Sequence, residues 1–122
     1  MLLSISITAC SSLQTKTRSI NIQRLIFLNQ SASSLRDVQI FITNTNEVVA
    51  CGYILPKSEC STGFPLREYQ GNPFDISWLN GKQKMLIKNI LVDVPDNLML
   101  EEPVNAVIVF GEQGRFSASL KQ

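Results

Sequence analysis

The chain has 122 residues, of which 44% are hydrophobic and 17% charged, with eleven Lys and Arg against ten Asp and Glu and a formal net charge of +1. This is one folded domain with a short leader; its basic residues are scattered from Lys16 to Lys121 without a run, so no phosphate-tracking surface and no nucleic-acid partner is expected. Histidine is absent, which removes the commonest general base and metal ligand together with every Ser-His or Cys-His nucleophile pair.

In chain order, the leader comes first. Residues 1–9 (MLLSISITA) are apolar or small, whereas Ser11 to Arg18 (SSLQTKTR) are polar with two positive charges. This run falls short of the ~20 apolar residues of a spanning helix. Composition flips at Cys10, and Ile7-Thr8-Ala9-Cys10 resembles the lipobox of bacterial lipoproteins, in which a branched apolar residue, a small residue and Ala or Gly precede the modified cysteine. The resemblance implies that residues 1–9 are a truncated signal peptide cut before Cys10, and that Cys10 carries a diacylglyceryl thioether beside an acylated amino terminus. The membrane is then a partner through those acyl chains, of which one alone would hold only marginally. Ser11 stands where an Asp would imply inner-membrane retention, so the implied location is the outer membrane, facing the periplasm.

An export signal carries a charged start and an apolar stretch of ~7–15 residues. Nine uncharged residues precede Cys10, so on this reading the native start lies upstream of Met1. Residues 10–18 form the lipidated cysteine and a tether, whose eight residues after Cys10 span at most ~28 Å. The bland alternative is an edge strand over Met1 to Thr8 with Cys10 as a small buried thiol.

Residues 19–122 read as one all-β domain. Ile20, Ile22, Ile26 and Leu28 share one parity, interrupted by Arg24. Val38, Ile40 and Ile42 alternate likewise, as do Val104, Ala106, Ile108 and Phe110, and then Phe116, Ala118 and Leu120. Period-two alternation places one side of a strand in a core and the other in water. Turn signals fall at 29–34 (NQSASS), 44–46, Asn80-Gly81, Pro95-Asp96-Asn97 and 111–114 (GEQG); Asn-Gly is the dipeptide that best accepts positive φ at both centres of a tight hairpin. Strands are expected over 20–28, 37–43, 47–54, 60–66, 73–79, 83–94, 104–110 and 115–121. The expected fold is an immunoglobulin-like antiparallel β-sandwich of seven to eight strands, with a small barrel as the alternative. LRDVQIFI and ILPKSECSTGFP are similar to a scheme in small bacterial extracellular immunoglobulin-like domains, where an L-x-x-V-x-V strand precedes a Leu-Pro turn. That resemblance implies a fold and no activity.

Cys51 and Cys60 bracket CGYILPKSEC. Two antiparallel strands meeting around Pro56-Lys57 would set them opposite each other, within disulfide range. Such a loop would stabilise the fold by about 2.7 kcal/mol in the chain-entropy account. The alternative is a pair of free thiols; a zinc site wants four ligands and a redox motif wants C-x-x-C. Export and the bridge go together, because disulfides persist in oxidising compartments.

For a binding surface the candidates are Arg67, Glu68 and Tyr69 in the loop-like, aromatic 61–74 segment, since Tyr and Arg are frequent at binding hot spots. A solvated corner is the competing reading. Trp78 shares parity with Phe74 and Ile76 and is expected in the core. Glu101-Glu102 would point to opposite faces of a strand, and Asp93 and Asp96 offer too few oxygens for calcium. Asn29-Gln30-Ser31 matches a glycosylation sequon that also arises by chance. The expectation is therefore a non-enzymatic interaction or structural module with no cofactor or metal and an unidentified envelope protein as partner. A binding module for a small envelope ligand such as a glycan is the alternative.

Overall fold

The computed structural model describes residues 20–43, 45–69, 73–99 and 101–122, the side chains of 64–68 excepted. The leader, Cys10 and its tether lie outside the described residues.

Eight strands build the chain: β1 (Ile20–Asn29), β2 (Leu35–Ile42), β3 (Glu47–Ile54), β4 (Ser58–Tyr69), β5 (Phe74–Asn80), β6 (Gln83–Ile90), β7 (Val104–Phe110) and β8 (Phe116–Lys121). They form two four-stranded sheets, β4-β1-β7-β8 and β3-β2-β5-β6, packed face to face as the expected β-sandwich. Neighbours are antiparallel except β1 and β7, which run parallel. This strand order departs from the A-B-E-D and C-F-G order of an immunoglobulin constant domain, within the shared architecture.

The core is what the two inner faces bring together. Phe27 of β1 and Phe110 of β7 stack at 6.2 Å between ring centroids, and Trp78 of β5 meets Phe110 edge-on at 4.9 Å from the other sheet. Trp78 is 2% exposed, the core residue its parity predicted. Around these rings lie Leu25, Leu35, Val38, Ile40, Ile54 and Ile76. A second cluster, Ile20, Val104 and Leu120, closes the end of the sandwich where β1 begins.

The parity of β1 needs a correction. Ile20 and Ile22 pack toward the core as expected, but Leu25 and Phe27, not Ile26 and Leu28, are the buried residues after Arg24. The cause is a bulge: Ile22 pairs with Val104, and Arg24 with Asn105, so Gln23 is one residue extra in β1. One inserted residue exchanges the two faces of everything that follows. Arg24, the exception in the sequence pattern, marks the place.

The β5–β6 hairpin differs by one residue from expectation. Asn80 pairs with Gln83, so the turn is Gly81-Lys82, and Gly81 alone in it has positive φ, at 65°. Glycine at the first central position is what the primed hairpin turns of this hand require.

Candidate functional site

Cys51 and Cys60 are bonded to each other. The bridge is not the cross-strand pair of a hairpin, because β3 and β4 belong to different sheets. Cys51 sits opposite Val38 in one sheet and Cys60 opposite Phe27 in the other, with Cα atoms 6.4 Å apart. The Leu55–Lys57 turn, with Lys57 at φ 59°, arches the chain from one sheet to the other instead of folding it back in plane. The disulfide thus fastens the two sheets along their common β3/β4 edge.

Beside that arch lies a buried polar hub that the sequence motifs did not disclose. Asn29, 1% exposed, donates from Nδ2 to the carbonyls of Ser33 (2.7 Å), Ile54 (3.1 Å) and Leu55 (3.1 Å). Its Oδ1 accepts from the Ser31 backbone N–H at 3.0 Å and the Ser31 hydroxyl at 2.7 Å. Full satisfaction is what allows an amide to be buried without penalty. The same nitrogen is the atom a glycan would occupy, so the sequon at Asn29 is closed in the folded protein. Lys57 Nζ donates to the Gln30 carbonyl at 2.7 Å, and the Ala32 N–H donates to Glu112 Oε2 at 2.9 Å. The 30–34 loop is consequently held from three sides. A backbone turn with buried carbonyls nearby, opened by Asn and rich in Ser, is the one signal that could have suggested the hub.

Of the three candidate binding residues, Tyr69 is fully described. It ends β4 opposite Ile20, half-buried, and its hydroxyl donates to the Val92 carbonyl and accepts from the Val92 N–H, each at 3.3 Å. Burial raises its phenol above the usual range; the hydrogen bond to Val92 offsets part of this, and the Asp93 carboxylate adds to it. Tyr69 also lines an apolar cavity of about 80 Å³ between the sheets, with Ile22, Leu25, Ile40, Phe74 and Ile108 among its walls. Arg67 and Glu68 lie opposite Ile22 and Asn21 along β4; their side chains are outside the described residues.

A second depression, about 300 Å³, lies on the outer face of the β3-β2-β5-β6 sheet, where Asp37, Gln39, Ser77 and Lys84 surround the small Ala50 and Gly52. Asp37 has φ 50°, at a bulge where β2 slips against β5. Its groups can exchange hydrogen bonds with a polar molecule, but they include no paired nucleophile and base. Among the described residues, no three His, Cys, Asp or Glu are grouped to hold a metal ion, and no helix is long and apolar enough to cross a membrane. Glu101 and Glu102 lie in a turn closed by the Glu102 N–H donating to the Met99 carbonyl, not on a strand.

Compared with models of known families, with curated proteins and with solved structures, the chain matches none.

Proposed function

We propose that this protein is a non-catalytic interaction or structural module of the bacterial cell envelope, held at the periplasmic side of the outer membrane by acyl chains on Cys10, with an envelope protein as its partner. The observation that carries the reading is the Cys51–Cys60 bridge. Structural disulfides belong to oxidising compartments outside the cytosol, and this one uses the two cysteines that remain when Cys10 is set aside. The topology agrees with a tether. β1 starts at the end of the sandwich that carries the 91–103 crossover, and the 30–34, 55–57 and 111–115 loops lie at the other end. A chain anchored before β1 would hold those hub-braced loops away from the membrane. The glycan alternative has less support, because the Tyr69 hydroxyl is engaged by Val92 and Trp78 is buried.

The test is expression from the native gene with fractionation and mass spectrometry. The wild-type protein is expected in the membrane fraction with a diacylglyceryl mass on Cys10, and Cys10→Ser in the soluble periplasmic fraction. Recovery of an unmodified peptide running from Met1 through Cys10 would overturn the anchor. Two free thiols at Cys51 and Cys60 in the freshly isolated protein would remove the argument for the compartment.

A further inference from the structure

The outermost strands of the two sheets are not equally closed to a further strand. β3 and β4 converge: the Cα atoms of Cys51 and Cys60 stand 6.4 Å apart, against the ~10 Å of sheets packed face to face. Each therefore occupies the space that a strand added to the other would need. β4 is also interrupted at 64–66, where three residues stand against Gln23 alone and Pro65 has no N–H to offer. β6 carries exposed Lys84 and Lys88 and a bulge against β5, with Asn89 at φ 57°. Lysine, proline and bulges are devices that keep sheet edges from pairing with other chains. β8 has none of them between Phe116 and Leu120. That stretch is uncharged, and its register with β7 runs without a break.

Hydrogen bonding fixes which groups of β8 are unused. The Gln30 N–H donates to the Phe110 carbonyl and the Gly111 N–H to the Arg115 carbonyl, each at 2.8 Å. Even-numbered residues of β7 therefore bond toward β1 and odd-numbered ones toward β8, so along β8 it is Ser117, Ser119 and Lys121 that bond back to β7. The N–H and C=O groups of Phe116, Ala118 and Leu120 point away from the sheet, and nothing among the described residues bonds to them. The side chains of these three turn inward. Phe116 and Ala118 are only half-buried there, as are Met85 and Ile87 of β6 on the same open side of the sandwich. The outer face of β8 presents Arg115, Ser117, Ser119 and Lys121, all exposed, and neither cation has an ion pair among the described residues.

We propose that the free edge of β8 takes an extended segment of another protein as a fifth strand of its sheet, a segment that alternates apolar and polar residues and carries a carboxylate at each end. Affinity comes from the main-chain groups of Phe116, Ala118 and Leu120, as in other strand additions. The segment's inward apolar side chains complete the burial of Phe116 and Ala118. Its carboxylates fall opposite Arg115 and Lys121, about 20 Å apart on one face of the strand, and fix its register. A second copy of the chain fits worse. The antiparallel pairing that uses every outward group sets Ala118 opposite Ala118, and with it Arg115 opposite Lys121 of the other copy, twice over. The inference rests on the reading of the protein as an interaction module and gives that reading a surface. It does not rest on the anchor, and its failure would leave the Cys10 and thiol measurements above to decide that reading on their own.

The experiment uses the full chain carrying Cys10→Ser, purified with the Cys51–Cys60 bridge formed, and the peptide acetyl-EVTVTVE-amide, whose palindromic sequence serves a parallel or an antiparallel strand. Amide exchange is followed by NMR. In the free chain Ser117 and Ser119 are expected to be protected, and Phe116, Ala118 and Leu120 to exchange fast. The peptide is expected to slow those three amides and no amide of β3 or β6. Arg115→Glu combined with Lys121→Glu is expected to weaken binding about tenfold and to turn the preference toward a peptide with lysine at both ends. Ala118→Pro removes an outward N–H at an edge position where proline is tolerated, and is expected to abolish binding while keeping the wild-type circular dichroism. Unchanged exchange at Phe116, Ala118 and Leu120 under millimolar peptide would overturn the proposal. Equal binding of the lysine-ended peptide to the wild type would overturn the part played by Arg115 and Lys121. Slow exchange of the three amides without peptide would overturn the choice of partner: at every protein concentration it would mean that residues 1–19 of the chain itself fill the edge, and at high concentration alone that a second copy does.

Discussion

The side-chain amide of Asn29, at the end of β1, donates to the main-chain carbonyl of Ile54, at the end of β3, across 3.1 Å and from one sheet to the other. Twenty-five residues separate them, so the bond closes the same arch that the disulfide closes a few residues away. Asn29→Ala would strip partners from three carbonyls and from Ser31 in a buried setting. Each unsatisfied buried group costs about 1–3 kcal/mol, and a total loss of about 3–5 kcal/mol is expected after some of them regain water. Asn29→Asp keeps the volume but aims a carboxylate at three carbonyl oxygens, and should be at least as destabilising at pH 7. Its deficit should shrink as pH falls from 7 toward about 4, as the buried carboxyl takes up a proton and regains a donor. Urea denaturation of the two variants at pH 7 and pH 4 measures both effects.

Opening the bridge acts on the unfolded chain as well as on the edge it fastens. The double variant Cys51→Ala/Cys60→Ala is expected to lose about 2–4 kcal/mol. Its urea m-value should rise, because an uncrosslinked chain exposes more surface on unfolding. Dithiothreitol should bring the wild type to the same midpoint and leave the variant where it was. Combined with Asn29→Ala, the losses should not add: both devices hold β3 to the opposite sheet, and groups sharing one backbone arch couple.

Tyr69 ties β4 to the crossover at Val92 and carries a pH signature. Its phenol is raised in the folded state, first by burial. A raised folded value means that the folded chain holds the proton more tightly than the unfolded chain. The associated stability is complete below the unfolded value of about 10, and it is lost as pH climbs from there through the folded value. At pH 7 Tyr69→Phe should be less stable than wild type by about 1–2 kcal/mol, since Val92 loses its partner on both backbone groups. The gap should narrow progressively above pH 10. Denaturation midpoints of the two proteins between pH 8 and pH 11 check this, and a gap constant across that range would contradict the placement of the hydroxyl.

Gly114 closes the turn between β7 and β8 with φ 77°, and a Cβ there would meet the Met85 methyl at 2.8 Å. Met85 is flexible and can move aside, so the backbone supplies most of the penalty. Gly114→Ala should cost about 1–2 kcal/mol. Gly63→Ala, a position without positive φ and with open space around its Cβ, should stay within about 0.5 kcal/mol. Thermal or urea unfolding of the two alanine variants separates turn strain from any general effect of replacing glycine.

Alternation was enough to read the sandwich, since β5 and β8 keep their faces, as do most of β7, β2 after its bulge at Asp37 and β3 as far as Cys51. Two things escaped it. Periodicity carries no information about an inserted residue until a neighbouring strand fixes the register, so the inward set of β1 was assigned wrongly from Arg24 onward. Nor does it say in which sheet a strand lies: Cys51 and Cys60 were read as partners within a hairpin, whereas the arch at 55–57 carries β4 to the opposite sheet. Pairing of the two sulfurs survives because an arch brings its ends as close as a hairpin does. The site-level reading went less far, since the binding role of Arg67 and Glu68 would rest on side chains outside the described residues. Asn29 escaped for a different reason: a hub depends on three loops converging, and no local pattern records that.

The bulge offers the most direct test of how β1 is set. Gln23 is exposed, so Gln23→Ala should change stability by less than about 0.5 kcal/mol. Deleting Gln23 tests the bulge itself. Ile22 then precedes Arg24 directly, the two already pair with the consecutive Val104 and Asn105, and Ile20, Ile22, Leu25 and Phe27 keep their inward places by plain alternation. The deletion is therefore expected to give a folded protein in which protection from hydrogen exchange is kept over both residues 20–22 and 25–29. Loss of protection on either side of the deletion would mean that Gln23 is needed for the register of β1 and is not simply one residue extra.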